Sequence, residues 1–241
     1  VERYLDDLRR DIPEVDRWLP FGDYPQIVEA AEALIGLPQV RALPEERVLL
    51  TPAPYAYLKV SEGCDQKCTF CAIPSFRGRL ASRTIEANVE DARRIAERGV
   101  TEINIVSQDT TACGRDLYGK PRLAELLTTL TREVEGPAWW RVLYLYPTVL
   151  KDDVLEAIAT NDRIVNYVDL PLQSMSTPVL RRMRRGTTAE KQHALLERIR
   201  HVVGDVAIRS TLIAGFPCET DADHQETLAA VRAGVFDRLG V

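Results

Sequence analysis

The chain lacks the features that mark a membrane protein or an exported one. None of its apolar runs approaches the roughly 20 residues that a helix needs to cross a bilayer, and no secretory signal segment is visible. Cysteine is scarce, with five in 241 residues, and an odd number does not fit the disulfide framework of a small exported domain. These absences predict a protein of the reducing cytoplasm that binds no membrane.

Positive charge is also in short supply. The 31 Lys and Arg against 36 Asp and Glu leave a net charge of −5, whereas broad, non-specific binding of nucleic acid needs a basic surface. The length suffices for one full domain, or for one domain and a fragment. Because the chain begins with Val1 and stops on the apolar Leu239-Gly240-Val241, we expect it to be cut from a longer protein.

Three of the five cysteines fall within one short stretch. Cys64, Cys68 and Cys71 lie between Gly63 and Pro74, directly after an apolar, strand-like run. Cysteine thiolates hold iron–sulfur clusters, normally four to a cluster. A loop that offers three therefore leaves one iron with an open position, where a small molecule can bind.

Other interpretations of these cysteines compete with a cluster. They could lie on one face of a helix as small core residues, although Gly63 and Pro74 bracket the stretch too tightly for a stable helix. A structural zinc site needs a fourth ligand, but Cys113 and Cys218 are isolated and the nearest histidine in sequence is His193. The spacing favours an iron–sulfur site and leaves zinc and inert thiols open.

Strand and helix patterns alternate five or six times after a proline-rich linker at 36–54, which follows two short helical patterns in 1–35. This alternation predicts an α/β fold with a parallel sheet covered by helices. The expected strands are 55–60, 102–106, 141–145, 167–170, 206–213 and one that starts at 236. The expected helices are 85–96, 123–130, 152–159, 189–203 and 222–233.

Polar residues follow the carboxyl ends of these strands, where parallel α/β barrels place their sites. The cysteine loop follows the first strand, Ser107 and Gln108 follow the second, and Gln173 and Gly215 follow two later ones. Because all of them come at the same rim of the expected barrel, the pattern predicts catalysis there.

At these motifs the chain resembles the radical S-adenosylmethionine (SAM) enzymes, and among them the methylthiotransferase branch. The resemblance covers about 55–241 and implies a partial (β/α)6 TIM-like barrel, C-terminally truncated, with 1–35 as the remnant of a preceding N-terminal α/β domain. The motifs that carry it are Ser61-Glu62-Gly63-Cys64, Cys71-Ala72-Ile73-Pro74, Ser107-Gln108-Asp109-Thr110, Leu170-Pro171-Leu172-Gln173 and Gly215-Phe216-Pro217.

The resemblance implies that Cys64, Cys68 and Cys71 hold a 4Fe-4S cluster. Its open iron would chelate SAM, and one electron would then cleave SAM to a 5′-deoxyadenosyl radical. No catalytic residue is expected beyond these ligands. Three of the expected cofactor-binding residues also have a structural alternative. Phe70 could be a core residue, Arg209 could form a structural ion pair, and Gly215 could serve a plain turn. The expected cofactor-binding residues are Phe70, Ser107, Gln108, Gln173, Arg209 and Gly215.

Two subfamilies of that branch modify different substrates, one an adenosine of transfer RNA and the other an aspartate of a small-subunit ribosomal protein. The stretches Ser107-Gln108-Asp109 and Tyr144-Leu145-Tyr146-Pro147 resemble the second group. The expected partners are therefore that ribosomal protein or the ribosome, and an electron donor. A zinc-stabilised, non-catalytic binding module is the alternative of another class.

The resemblance also implies parts that this sequence does not contain. A second 4Fe-4S cluster is expected in the full-length protein, but no cysteine precedes Cys64 to hold it. Nucleic acid is expected to bind only through a missing C-terminal domain. We therefore expect this chain to cleave SAM without completing sulfur insertion.

A basic run surrounds Met183 and has no assigned chemistry. Its expected role is a solvated helix face rather than a contact with RNA or the ribosome. The run consists of Arg181, Arg182, Arg184 and Arg185.

Overall fold

The computed structural model describes residues 4–36 and 48–241. The first of these ranges contains helix α1 (Leu5–Asp11), a 3-10 helix (Phe21–Gln26) and helix α2 (Ile27–Ile35), so both short helices expected there are present. Most of the predicted linker at 36–54 lies outside the described residues, and the domain boundary that it marks stays a prediction.

The second range alternates strands with helices. Its strands are β1 (Tyr55–Lys59), β2 (Ser61–Glu62), β3 (Ala81–Ser82), β4 (Glu102–Val106), β5 (Trp139–Val142), β6 (Tyr167–Asp169), β7 (Ala207–Thr211) and β8 (Arg238–Gly240). Its helices are α3 (Ile73–Phe76), α4 (Ile85–Ala96), α5 (Arg115–Tyr118), α6 (Leu123–Glu133), α7 (Asp152–Thr160), α8 (Thr177–Arg182), α9 (Ala189–Val203) and α10 (Asp221–Arg232). In the described parts of the chain, no helix is long and apolar enough to span a bilayer.

Six of the strands form a curved parallel array in chain order. Strands β1, β4 and β5 pair in parallel, as do β6, β7 and β8. The two sheets meet at Trp140, whose N–H donates to the Arg163 carbonyl at 2.8 Å and whose carbonyl accepts from Val165 at 2.9 Å. The predicted α/β class and the partial six-stranded barrel are thus confirmed.

The core lies between these strands and their covering helices. Buried strand side chains such as Leu58, Ile103 and Ile105 are fully removed from solvent, as expected for strands covered on both faces. Helix α4 shows how the helices are placed: Thr84 caps it by accepting from the N–H of Ala87, and its apolar face is buried. This scaffold holds the carboxyl ends of the strands at one rim.

Most predicted boundaries agree with the structure, and β4 and α9 agree at both ends. Strand β5 was predicted at 141–145 but ends at Val142. The reason is Tyr144, whose φ of 59° is left-handed and cannot continue a strand. The small pair of β2 and β3, and the short helices α3, α5 and α8, were not predicted.

Arg163 fastens the end of α6 to the junction between the two sheets, and we predict that Arg163→Met destabilises the fold. Its guanidinium donates to the carbonyl of Thr131 and, at 2.8 Å each, to those of Val134 and Pro137. Losing these bonds should lower the free energy of unfolding by about 2–3 kcal/mol, measured by urea denaturation. Arg132→Met is the control, because the Arg132 side chain is exposed and, within the described ranges, its hydrogen bond is to the adjacent Glu133. Equal stability of the two variants would contradict this account.

Candidate active site at the carboxyl ends of the strands

A cavity of about 300 Å³ opens at the rim formed by the carboxyl ends of the parallel strands. The loop after β1 contributes Cys64, Cys68 and Cys71 to its wall, the loop after β4 contributes Gln108, and the segment after β6 contributes Gln173. Much of the remaining lining is apolar or aromatic, which is typical of small-molecule sites. The structure therefore brings the predicted cysteine loop and two distant strand ends to one space.

The cysteine loop is shaped by main-chain hydrogen bonds and by one glycine. Gly63 has a φ of +73°, and a Cβ there would lie 2.1 Å from the Arg79 carbonyl oxygen. Directly after it, the N–H of Cys64 donates to the Gly78 carbonyl at 3.2 Å. Only glycine combines this left-handed turn with so close an approach, so Gly63 sets the course of the chain into the loop.

Two polar side chains fasten the loop to the barrel. Gln66 donates from Nε2 to the Asp109 carboxylate at 2.8 Å, across the gap between the loop and the end of β4. Asp65 accepts from Arg115 at 3.0 Å and from the N–H of Leu80 at 3.2 Å. Asp109 is almost fully buried, and burial raises the pKa of its carboxyl. The loop is thereby anchored at both of its sides.

Cys64 and Cys68 are buried and Cys71 is half-buried. Burial raises the pKa of the Cys64 thiol to about 11. The main-chain N–H of Gln66 donates to the Cys64 sulfur at 3.4 Å and opposes this rise. Within the described ranges, no three His, Cys, Asp or Glu side chains converge closely enough for a single metal ion. The three thiols instead share the wall of a cavity, which is larger than one ion.

Three of the other predicted site residues line the same cavity. Gln108 has a buried Oε1 that finds no hydrogen-bond donor among the described residues. Gln173 has a left-handed φ of 74°, and its main chain bonds Thr211 and Ile213. Phe70 is 38% exposed and lies on the wall, so its alternative role as a core residue is wrong.

The remaining three predicted contacts are placed elsewhere. Ser107 donates to Thr110 and accepts from the N–H of Asp109, which shapes the turn after β4. Arg209 forms an ion pair with Asp169 at 3.4 Å, as its structural alternative proposed. Gly215 has a φ of +76° and donates to Glu219 at 2.6 Å, which is a turn. None of the three appears on the cavity wall of this structure, and a contact with SAM stays a prediction for each.

Several wall residues were not among the predicted site residues, and Tyr144, Tyr146 and Arg185 are three of them. The basic run had been expected on a solvated helix face, which holds for Arg181 but is wrong for Arg185, since only 4% of Arg185 is exposed. Arg185 follows α8 rather than lying in it. A run of similar charges gives no local signal of which member turns inwards, because that depends on where the helix ends.

With this geometry described, comparison with known proteins identifies the class. The family model of the Radical SAM superfamily matches residues 58–231, which include the end of β1, the cysteine loop and the parallel strands β4 to β7. The chain belongs to the radical SAM superfamily.

Within that superfamily, the chain is similar over its whole length to proteins named ribosomal protein uS12 methylthiotransferase RimO. It is 45% identical to the one from Symbiobacterium thermophilum, with 100% of this chain and 51% of the relative covered. It is 43% identical to the one from Aquifex aeolicus, with 100% and 54% covered. The expected resemblance to this subfamily is confirmed, and the chain spans about half the length of these curated relatives.

Solved structures of more distant proteins share the fold. TsrM from Kitasatospora setae, a radical SAM methyltransferase with tryptophan and a SAM analogue bound, has a TM-score of 0.63 at 16% identity, over 81% of this chain and 39% of that one. Streptococcus suis SuiB bound to S-adenosylmethionine has a TM-score of 0.55 at 16% identity, over 99% and 49%. At such low identity these likenesses establish the fold alone.

Gly63→Ala should destabilise the cysteine loop, because the added methyl group meets the Arg79 carbonyl at 2.1 Å. Gly78→Ala is a matched control: Gly78 has a similar φ of +79°, but a Cβ there meets nothing within 4 Å. The control should lose about 1–2 kcal/mol from its left-handed backbone alone, and Gly63→Ala should lose clearly more in thermal or urea unfolding. A smaller loss in Gly63→Ala than in Gly78→Ala would show that the close approach does not constrain the loop.

Proposed function

We propose that this chain is the radical SAM core of a methylthiotransferase that adds a methylthio group to an aspartate side chain of ribosomal protein uS12. One observation carries the proposal: Cys64, Cys68 and Cys71 share a cavity of about 300 Å³ with polar residues from distant strand ends. The names of the relatives supply the substrate. Because the chain spans half of their length, the activity proposed is that of the longer protein.

The cavity wall fits a 4Fe-4S cluster with SAM better than it fits a structural metal ion. Three thiols are offered, and the wall around them holds no carboxylate or imidazole as a fourth ligand. The space beyond the thiols leaves room for a small molecule beside a cluster. When bound, the cluster and SAM would supply the reactive 5′-deoxyadenosyl radical, given one electron from a reductant protein.

The chain's own residues hold and shield these groups. The three cysteines bind the cluster, and the N–H of Gln66 donates to the Cys64 sulfur, a contact that favours a thiolate. Gln108 presents an acceptor that has no donor among the described residues, which suits an amino group of SAM. Phe70 covers one side of the cavity, where its ring excludes water from the reacting groups.

An aspartate substrate fixes where the reaction takes place. The Cβ of an aspartate is the only side-chain carbon that carries hydrogen, so a methylthio group on that side chain must replace a hydrogen there. The adenosyl radical would take that hydrogen and leave as 5′-deoxyadenosine. This hydrogen transfer needs only the radical core, whereas sulfur insertion needs the second cluster expected in the longer protein. We propose 1–35 as the remnant of the domain that holds it, 36–54 as the linker and 55–241 as the radical core.

Anaerobic reconstitution with iron and sulfide should give about four iron and about four acid-labile sulfide per chain. With SAM and a strong reductant, this protein should form 5′-deoxyadenosine. Cys64→Ala, Cys68→Ala and Cys71→Ala should each reduce the product to background, as measured by chromatography and mass spectrometry. Cys218→Ala is the control, since Cys218 is exposed and does not line the cavity. Zinc without sulfide in the purified protein would instead identify a structural metal site.

The same reaction is repeated with ribosomal protein uS12 that carries deuterium at the aspartate Cβ. The reconstituted protein should then transfer one deuterium from uS12 into the 5′-deoxyadenosine. Unlabelled uS12 provides the control for solvent exchange, and transfer RNA provides the alternative substrate. Product formation that transfer RNA stimulates, without deuterium transfer from uS12, would assign the chain to the RNA-modifying relatives.

A further inference from the structure

Arg185 is a buried cation in the wall of the cavity, and its surroundings are not those of an ordinary buried arginine. Its Nη1 lies 3.4 Å from the Cys68 sulfur, and its Nη2 donates to the carbonyl of Pro171. Its guanidinium carbon lies 4.3 Å from the centre of the Tyr146 ring. A buried charge is normally paired with an opposite one, but here the hydrogen bonds go to a thiol and a carbonyl.

Asp109 feels the charge of Arg185, but its carboxylate is hydrogen-bonded to other groups. Asp109 is buried, and the positive charge of Arg185 partly offsets the rise in pKa that burial causes. Its carboxylate, however, accepts from Gln66 and from the N–H of Ala112. Arg185 itself keeps a buried Nε that meets no acceptor among the described residues. Among the described residues, the hydrogen bonds of the Arg185 side chain therefore leave its positive charge without a carboxylate partner.

The position of Arg185 is fixed by the chain on both sides of it. Its N–H donates to the Leu180 carbonyl at 3.0 Å, and its carbonyl faces the Tyr146 hydroxyl at 3.5 Å. The cysteine loop bonds the same segment, since Thr69 donates to the carbonyls of Met183 at 3.1 Å and Arg182 at 3.0 Å. The segment after α8 and the cysteine loop are thus one connected unit. A shift of either would move Arg185 relative to Cys68.

The Tyr146 side chain completes this arrangement. Its ring faces the Arg185 guanidinium, whose carbon lies 4.3 Å from the ring centre, and this is a cation–π contact. Its hydroxyl also lies 3.8 Å from the Cys68 sulfur. Two polar groups, one from the segment after β5 and one from the segment after α8, therefore converge on the same thiol.

We propose that Arg185 is a positioning residue for the cluster: it donates to the Cys68 thiolate and keeps a positive charge beside the iron–sulfur group. This role rests on the proposed function, because it requires a cluster at the three cysteines. A fixed positive charge stabilises the form with the extra electron, so Arg185 raises the reduction potential of the cluster and eases the one-electron step on which SAM cleavage depends.

The test is a redox titration of the reconstituted 241-residue chain, followed by electron paramagnetic resonance. Arg185→Met keeps the apolar stem over Tyr146 and removes the charge, and Arg185→Gln also keeps a donor for the Pro171 carbonyl. Both variants should bind iron and sulfide and show a midpoint potential shifted to more negative values. Arg185→Lys keeps the charge, so its midpoint potential should lie between those of the two neutral variants and that of the wild type. Arg181→Met removes the same charge from an exposed position and should leave the potential unchanged.

The outcomes separate this proposal from the one on which it rests. A wild-type chain that forms no iron–sulfur cluster would refute the proposed function itself. A wild-type cluster with the same potential in Arg185→Met, Arg185→Gln and Arg181→Met would refute only the role of Arg185. Circular dichroism identifies a variant that fails to fold. If one of Arg185→Met and Arg185→Gln fails to fold, the midpoint potential of the other decides. A folded variant that loses iron would contradict the expected retention of the cluster and would refute the role of Arg185 in setting its potential.

Discussion

The site depends on one close approach of the main chain, that of Gly63 to the Arg79 carbonyl. The left-handed φ of Gly63 turns the chain out of the barrel, and the hydrogen bond from Cys64 to Gly78 closes the entrance of the loop. The antiparallel pair of β2 and β3 holds the two passing segments side by side at the same place. Three thiols can then face one cavity without any help from a metal, since the backbone has already fixed their loop.

Backbone strain is concentrated around this cavity. Four non-glycine residues in the described ranges have a positive φ, and two of them, Tyr144 and Gln173, line the cavity while Arg184 adjoins Arg185. Such conformations cost of order 1–3 kcal/mol each and persist where the surrounding structure enforces them. Here the enforcing bonds are visible: the N–H of Tyr144 donates to Asp169 at 3.2 Å, and that of Gln173 donates to Thr211 at 2.9 Å. The strain lies where side chains are aimed at the cavity, as expected when position matters more than stability.

The fold was largely predictable because its signals are local. Apolar strands and amphipathic helices follow their periods, and β4 and α9 were placed at both ends. The cavity residues Cys64, Gln108 and Gln173 were also predictable, since parallel strands bring their carboxyl ends together. Arg185 was not, because its burial depends on the end of α8 and on bonds to residues more than a hundred positions earlier in the chain. Ser107 and Arg209 do not line the cavity in this structure, since a position near a strand end does not decide which way a side chain points, and their contact with SAM stays a prediction.

The polar groups on the cavity wall differ from one side to the other in charge, and this difference affects which ligand the cavity can bind. On the side of Cys68, Arg185 supplies a buried positive charge and Tyr146 a hydroxyl. On the side of β4, Gln108 supplies an acceptor that no donor in the described part of the chain reaches. An empty pocket would leave the Gln108 acceptor without a donor among the described residues, at a cost of about 1–3 kcal/mol, and would leave the Arg185 charge without a carboxylate bonded to it there. A zinc ion would add positive charge beside Arg185, whereas a cluster held by thiolates adds negative charge there and an amino acid beside it can donate to Gln108. The charges on the cavity wall therefore favour an iron–sulfur cluster over a zinc ion, and the number of cysteines favours the same occupant.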